Sequence, residues 1–195
     1  MTGHRKKITT PLPDVAIKSL AAGDAVSLSG VVYTARDAAH AKLIEMISRG
    51  EEMPFRFEGE AVYYAGPTPP RPGYPIGSAG PTTSGRMDAY SPALIKMGLK
   101  VMIGKGLRNK AVHEAIVECG GLYLAATGGA GALLARSVKS SEVIAFPDLG
   151  TEAIRRLEVE NFPAVVAIDS RGADIYAGGR EAWRLPAESQ ASDRY

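Results

Sequence analysis

The chain has 195 residues, 45% of them hydrophobic and 23% charged, with a formal net charge of +2. That composition suits one substantial globular domain and gives no basic field for nucleic acid. No run of about 18 apolar residues offers a membrane span.

The opening MTGHRKKITTPLPD is basic but lacks the apolar core of a signal peptide, so a cytoplasmic protein is expected. The single cysteine, Cys119, cannot pair internally, which fits a reducing compartment. Nor can one thiol hold a cysteine-ligated iron–sulfur cluster. His4, His40 and His113 are widely separated and suggest no zinc ligand set, so no metal site is expected in this chain.

In chain order, Val26, Leu28, Val31 and Val32 predict one or two strands. Thr34 with Asp37 three residues on resembles a capping box, and Ala39, Leu43, Ile44 and Ile47 form the apolar stripe of a helix that Gly50 ends. Ala61–Ala65 predicts a strand, and Pro67 to Pro75 a stiff turn-rich segment. SPALIKMGL predicts a helix with Ser91 as N-cap and Pro92 in its first turn.

Beyond it KVMIGKG, GLYLAATGG and SEVIAF predict strands, alternating with helices over NKAVHEAIVEC and AGALLARSVKS. Such alternation implies a parallel sheet flanked by helices. TEAIRRLEVE predicts a helix, and FPAVVAIDSRGADIYA a hairpin turning at Asp169 to Gly172. One α/β domain over residues 1–185 is expected, with a polar, frayed tail over 186–195.

Several residues offer chemistry. ATGGAGALLA imitates a dinucleotide fingerprint, but the third small position falls on Leu134; these glycines equally serve a tight turn. A nucleotide module would also need an acid after the second strand, roughly where Asp148 lies. IGKGLRNK is no phosphate-binding loop, since Gly106 follows Lys105 and no Ser or Thr comes next. Arg36, Arg86 and Lys105 each sit in a glycine-rich or helix-entry setting that favours anions, and arginine grips carboxylates bidentately. His40 lies four residues after Arg36 on the same helix face, as a proton carrier would. Thr82 and Thr83, in GPTTSG, offer hydroxyls to a ligand or simply cap their turn. The loop SAGPTTSGRMDAY is read as a carboxylate holder.

These segments (TARDAAH, YYAGPTPPRPG, GSAGPTTSGRMDAY, IGKG and DLGTEAIRRLEVENFPAVVAID) resemble the β subunit of iron–sulfur (class I) fumarate hydratase and L(+)-tartrate dehydratase. The resemblance covers roughly residues 8 to 180, and the segment corresponds to the C-terminal domain of single-chain class I fumarases. It implies a swivelling β/β/α domain with a mixed sheet. It also implies an α subunit whose three cysteines hold a 4Fe-4S cluster with one open iron, in an αβ pair that dimerises to a heterotetramer. Arg36, Arg86 and Lys105 would then bind a dicarboxylate substrate, with Thr83 beside them, and Thr82 or His40 would move the carbon-bound proton. Met87-Asp88 resembles fumarase more than tartrate dehydratase, where Met-Glu is expected. The alternatives are a tartrate dehydratase β subunit or a non-catalytic carboxylate-binding subunit. Isolated, the chain could form a homodimer.

Overall fold

Four strands run parallel through the centre of the sheet because each is a branched or aromatic run fed by a helix or loop that returns the chain to the same edge. The computed structural model describes residues 5–182; the expected domain end at 185 and the tail at 186–195 lie outside the described residues. The central strands are β2 (Ala25–Thr34), β3 (Ala61–Tyr63), β4 (Val101–Gly104) and β5 (Leu122–Ala125), with β1 (Lys6–Thr9) parallel to the first half of β2. Two antiparallel strands follow, β6 (Val138–Ala145) and β7 (Ile154–Ile168).

The sheet is mixed, and β7 closes it on itself. One edge of β7 pairs along the length of β2, in the register Val32 to Leu157 and Val26 to Ala164. Its other edge pairs first with β6 and then, through Val165 to Ile168, with β5. The pairings therefore run in a ring through β2, β3, β4, β5 and β7.

Because side chains alternate along a strand, neighbouring residues enter two separate cores. Ala61, Tyr63, Val101, Ile103, Leu122 and Leu124 join one cluster. Val62, Tyr64, Met102 and Tyr123 face the other, under the helices α2 (Asp37–Arg49), α3 (Ser91–Lys96) and α4 (Lys110–Cys119). The flanking helices expected from the sequence are thus present. Shorter helical pieces complete the set: α1 (Asp14–Lys18), α5 (Gly131–Ala135), α6 (Ile175–Ala182) and 3-10 turns at Ser84–Met87 and Pro147–Glu152.

Local expectations differ at several points. TEAIRRLEVE is not a helix but the last turn of a 3-10 segment and the first half of β7. Its glutamates and arginines favour helix intrinsically, but Leu157 and Val159 are buried between exposed Glu158 and Glu160, a two-residue period that pairing on both edges enforces. Asp169 to Gly172 does turn the chain, yet it leads into α6 instead of a second hairpin strand. AGALLARSVKS is helical only through Ala135, and Val138 already belongs to β6.

Neither expected cap forms. Thr34 ends β2, where its hydroxyl donates to the Ala153 carbonyl at 3.4 Å and accepts the Arg155 N–H at 3.1 Å. Ser91 lies inside α3, and its hydroxyl donates to the Met87 carbonyl at 2.9 Å. The residues in the N-cap positions are Arg36 and Tyr90, neither of which caps through its side chain.

Candidate active site

The carboxyl ends of β2, β3, β4 and β5 all open on one edge of the sheet, and each end delivers one element of the candidate site. Arg36 follows β2, Gly66 follows β3, Lys105 follows β4 and Gly128 follows β5. Open α/β sheets place ligands at this edge, where backbone turns away from the strands.

The loop 78–90 is laid across these ends as an extra pairing element. Thr82 N–H donates to the Tyr64 carbonyl at 2.7 Å, and Ser84 N–H donates to the Lys105 carbonyl at 2.9 Å. Thr83 and Lys105 form a parallel bridge. The threonines expected to act are thereby seated between the ends of β3 and β4, Thr82 half-buried and Thr83 exposed.

Close approach makes this seat possible. A Cβ on Gly104, the last residue of β4, would lie 2.0 Å from Ser84 Oγ. A Cβ on Gly131 would lie 2.3 Å from Ser78 Oγ and 2.8 Å from the Gly80 nitrogen. Of the dinucleotide-like glycines, Gly131 therefore docks the start of the same loop, and its carbonyl accepts the Ala79 N–H at 3.1 Å. Gly128 lies against the Lys105 stem, 3.7 Å from its Nζ to a notional Cβ. Asp148, the acid a nucleotide module would require, is turned to Lys42 at 2.6 Å.

Two of the three expected cations meet around one carboxylate. Arg86 donates from Nε to Asp37 Oδ1 at 2.7 Å, and Arg36 Nη2 lies 3.6 Å from Asp37 Oδ2. Glu152 supports the pair from the far side: one oxygen is 3.3 Å from Arg36 Nη2, and the other accepts the Ala38 N–H at 3.0 Å, completing the first turn of α2. Arg36 is 22% exposed and Arg86 52% exposed. Lys105 is half-buried and has no ion-pair partner among the described residues.

Buried polar atoms are usually paired, yet Arg36 Nε, Asp37 Oδ2 and His40 Nε2 have no hydrogen-bond partner. Three such atoms within five consecutive residues mark this corner as polar beyond what folding alone satisfies.

His40 is placed beneath the cations, 0% exposed, with its ring edge-on to Tyr64 at 5.3 Å. Its Nδ1 is 2.9 Å from the Arg36 carbonyl, so Nδ1 is the protonated nitrogen and donates there. Burial is the main reason that its pKa falls to about 4, with the Arg108 charge adding to the effect; the Arg36 carbonyl and Asp37 oppose it. The geometry gives His40 a neutral, backbone-holding place under Arg36, out of solvent.

Sequence reasoning did not single out Asp37, Glu152, Asp88 or Arg108 as parts of this corner. The Arg108 side chain is 0% exposed and donates from Nε to Asp88 Oδ1 at 2.6 Å and from Nη2 to Ser91 at 2.8 Å. Its guanidinium stands over the rings of Tyr64 and Tyr123 at 5.3 and 5.1 Å. Burial lowers its pKa, but Tyr64 and Asp88 more than offset this, and the group is held above the ordinary arginine value. Asp88 also accepts the Asn109 N–H at 2.6 Å, tying the end of the 78–90 loop to the start of α4. The available signal was a lone arginine and a lone aspartate flanking glycine-rich turns, which does not distinguish a buried pair from surface charges.

The opposite end of the strands is chemically separate. A cleft of about 530 Å³ lies there, lined by Asp14, Lys18, Val117, Cys119 and Arg171. Cleft volume and clustered chemistry therefore do not coincide. Among the described residues no three His, Cys, Asp or Glu side chains are grouped to hold a metal, and no helix is long and apolar enough to cross a membrane.

A family model described as "Fumarase C-terminus" matches residues 4–179. The anaerobic class I fumarate hydratase of Escherichia coli K12 is 46% identical over 153 residues, which are 77% of this chain and 28% of that protein. Fumarate hydratase 2 of Leishmania major is 44% identical over 157 residues, 80% of this chain and 28% of that protein. This chain thus spans well under half the length of these two relatives. A Methanocaldococcus jannaschii protein named "Putative L(+)-tartrate dehydratase subunit beta" is 43% identical over 166 residues, 82% of this chain and 85% of that protein. These relatives bear the names of hydro-lyases, and on the family match the chain belongs to the fumarase C-terminus family.

Proposed function

We propose that this chain is the β subunit of a class I hydro-lyase that interconverts fumarate and L-malate. The observation that supports this reading best is the convergence of Arg36, Arg86 and Lys105 on the strand-end edge, beside hydroxyl-bearing Thr82 and Thr83. In this reading the domain spans residues 1–185, takes the swivelling β/β/α form and works in the cytoplasm.

The chemistry follows from the residues. Dehydration of a 2-hydroxy dicarboxylate breaks a C–H bond beside a carboxylate and a C–O bond on the next carbon. The proton passes to a base, the electron pair forms the new double bond, and hydroxide leaves. Negative charge builds on the neighbouring carboxylate as the proton departs, so cations already in place stabilise that state more than the ground state. Arg36 and Arg86 hold carboxylate oxygens, and Lys105 adds a compact charge at the end of β4. Thr83 offers a hydroxyl donor. Thr82 is our candidate base: its backbone is fixed by Tyr64 and it precedes the Thr83–Lys105 bridge, and a cation brought to its hydroxyl would favour an ionised oxygen. His40, the competing candidate, fits better as the support of Arg36, because it is buried and neutral.

This chain's residues do not fit a 4Fe-4S cluster: Cys119 lies at the far end of α4, lining the opposite cleft. We place the cluster in a cysteine-bearing α subunit, in an αβ pair that dimerises. The chain isolated from that partner could self-associate through the face left open.

A second reading, an L(+)-tartrate dehydratase β subunit, is favoured by the Methanocaldococcus relative, which this chain matches over 85% of its length. The two are separated by anaerobic assay of fumarate hydration and L-tartrate dehydration, with the chain alone and mixed with its cluster-loaded partner. Activity in the mixture alone supports the split site, and the substrate ratio names it. An inactive mixture with an intact cluster refutes the catalytic reading and leaves a non-catalytic carboxylate-binding subunit.

A further inference from the structure

We propose that Asp37 is a positioning residue of the substrate site, holding the Arg86 guanidinium by its inner nitrogen so that the two outer nitrogens face the carboxylate to be bound. The identity of that carboxylate rests on the hydratase reading; the contact itself does not.

Asp37 is the first residue of α2 and is separated from Arg86 by 49 positions, so the contact is a product of the fold. Its two oxygens address different arginines. Oδ1 accepts from Arg86 Nε at 2.7 Å, while Oδ2, buried and without a hydrogen bond, lies 3.6 Å from Arg36 Nη2. Among the described residues, Nη1 and Nη2 of Arg86 make no hydrogen bond. A guanidinium offers five donors in a planar fork, and a carboxylate on Nε fixes the plane of that fork while leaving its outer edge open. Without Asp37 the half-exposed Arg86 would be free to swing into solvent and away from a like charge at Arg36.

Asp37 is itself fixed. Glu152 accepts the next backbone N–H, at Ala38, and His40 holds the preceding carbonyl, at Arg36. An anion placed merely to neutralise the arginines would not need such support. The competing role is an occupant: Asp37 would take the place of a substrate carboxylate and have to be displaced. The two roles predict opposite changes in affinity.

Two measurements decide between them. In the ¹⁵N-labelled full chain, the Arg86 Nε–H resonance, identified by its loss in Arg86→Lys, should shift and exchange faster in Asp37→Ala, with most backbone resonances unchanged. Asp37→Asn, which keeps an oxygen acceptor, should restore part of the protection. In the reconstituted pair, Asp37→Ala should raise KM for malate roughly tenfold, the loss of one charge-assisted hydrogen bond. The Asp37→Ala/Arg86→Ala double variant should be no worse than Arg86→Ala alone. A lower KM in Asp37→Ala, fully additive losses, or an unaltered Arg86 resonance would overturn the proposal. If the wild-type pair is inactive, the hydratase reading fails, and the Arg86 resonance with a succinate titration of the chain still decides the role of Asp37.

Discussion

Arg108 and Asp88 meet at 2.6 Å beneath the end of the 78–90 loop, where the guanidinium is fully enclosed between Tyr64 and Tyr123. A buried charge that loses its partner cannot recover its hydration, so removing one member costs far more than the pair contributes. Asp88→Asn or Arg108→Met should each destabilise the chain by about 3–5 kcal/mol, read from urea unfolding. Arg108→Lys should not rescue, because a point charge cannot serve Asp88, Ser91 and two ring faces together. A loss under about 1 kcal/mol for either member would show that the pair is solvated.

Gly104 marks the closest approach between the sheet and the loop that bears the candidate base. A methyl there would meet Ser84 Oγ at 2.0 Å and Tyr64 Cδ2 at 2.9 Å, and the Ser84 hydroxyl is already engaged by Tyr123 at 2.9 Å. Gly104→Ala should therefore cost about 1–3 kcal/mol and displace the turn from which Arg86 projects. Adding Ser84→Ala should recover part of the loss, because the clashing atom is removed. Thermal melting of the single and double variants measures both.

His40 makes stability depend on pH in a defined window. The unfolded chain takes up a proton on this side chain as pH falls through 6.5, whereas the folded chain resists until about 4. Its contribution is thus fully present above about 6.5 and is lost as pH falls toward 4, to a total on the order of 3 kcal/mol. His40→Asn keeps a donor at the position of Nδ1. It should be less stable at neutral pH because of the space it leaves, yet show a flatter decline between those limits. Urea midpoints at pH 7, 5.5 and 4.5 test this; an unchanged slope would mean that His40 is not the titrating group.

How much of this was legible beforehand depends on the range of the interactions. The strand–helix alternation from Val101 to Ala125 was readable because each run is local and lies next to glycine. The β7 strand was not, since Glu and Arg side chains around Leu157 carry a helical preference and only distant partners on β2 and β6 impose the extended form. Thr34 and Ser91 look like caps in isolation; their hydroxyls are taken by Ala153 and Met87 instead. The site divides the same way. Arg36, Arg86 and Lys105 stood out through their glycine-rich settings, and the structure brings the first two around Asp37. Asp37 is distant in sequence from Arg86, and Glu152 from Arg36 and Ala38, and no spacing could reveal these pairings.

In the proposed hydratase, Arg36 and Lys105 from two strand ends and Arg86 from the 78–90 loop form one carboxylate-binding surface completed by a cluster-bearing partner. The most direct test is kcat/KM for malate dehydration by the anaerobic reconstituted pair with Arg36→Ala, Arg86→Ala and Lys105→Ala in turn, each checked for an unchanged cluster spectrum and melting temperature. Removing a group that stabilises developing charge should lower kcat/KM by roughly a hundredfold or more in each variant. Values within about twofold of wild type for all three, with folding and cluster intact, would contradict the account.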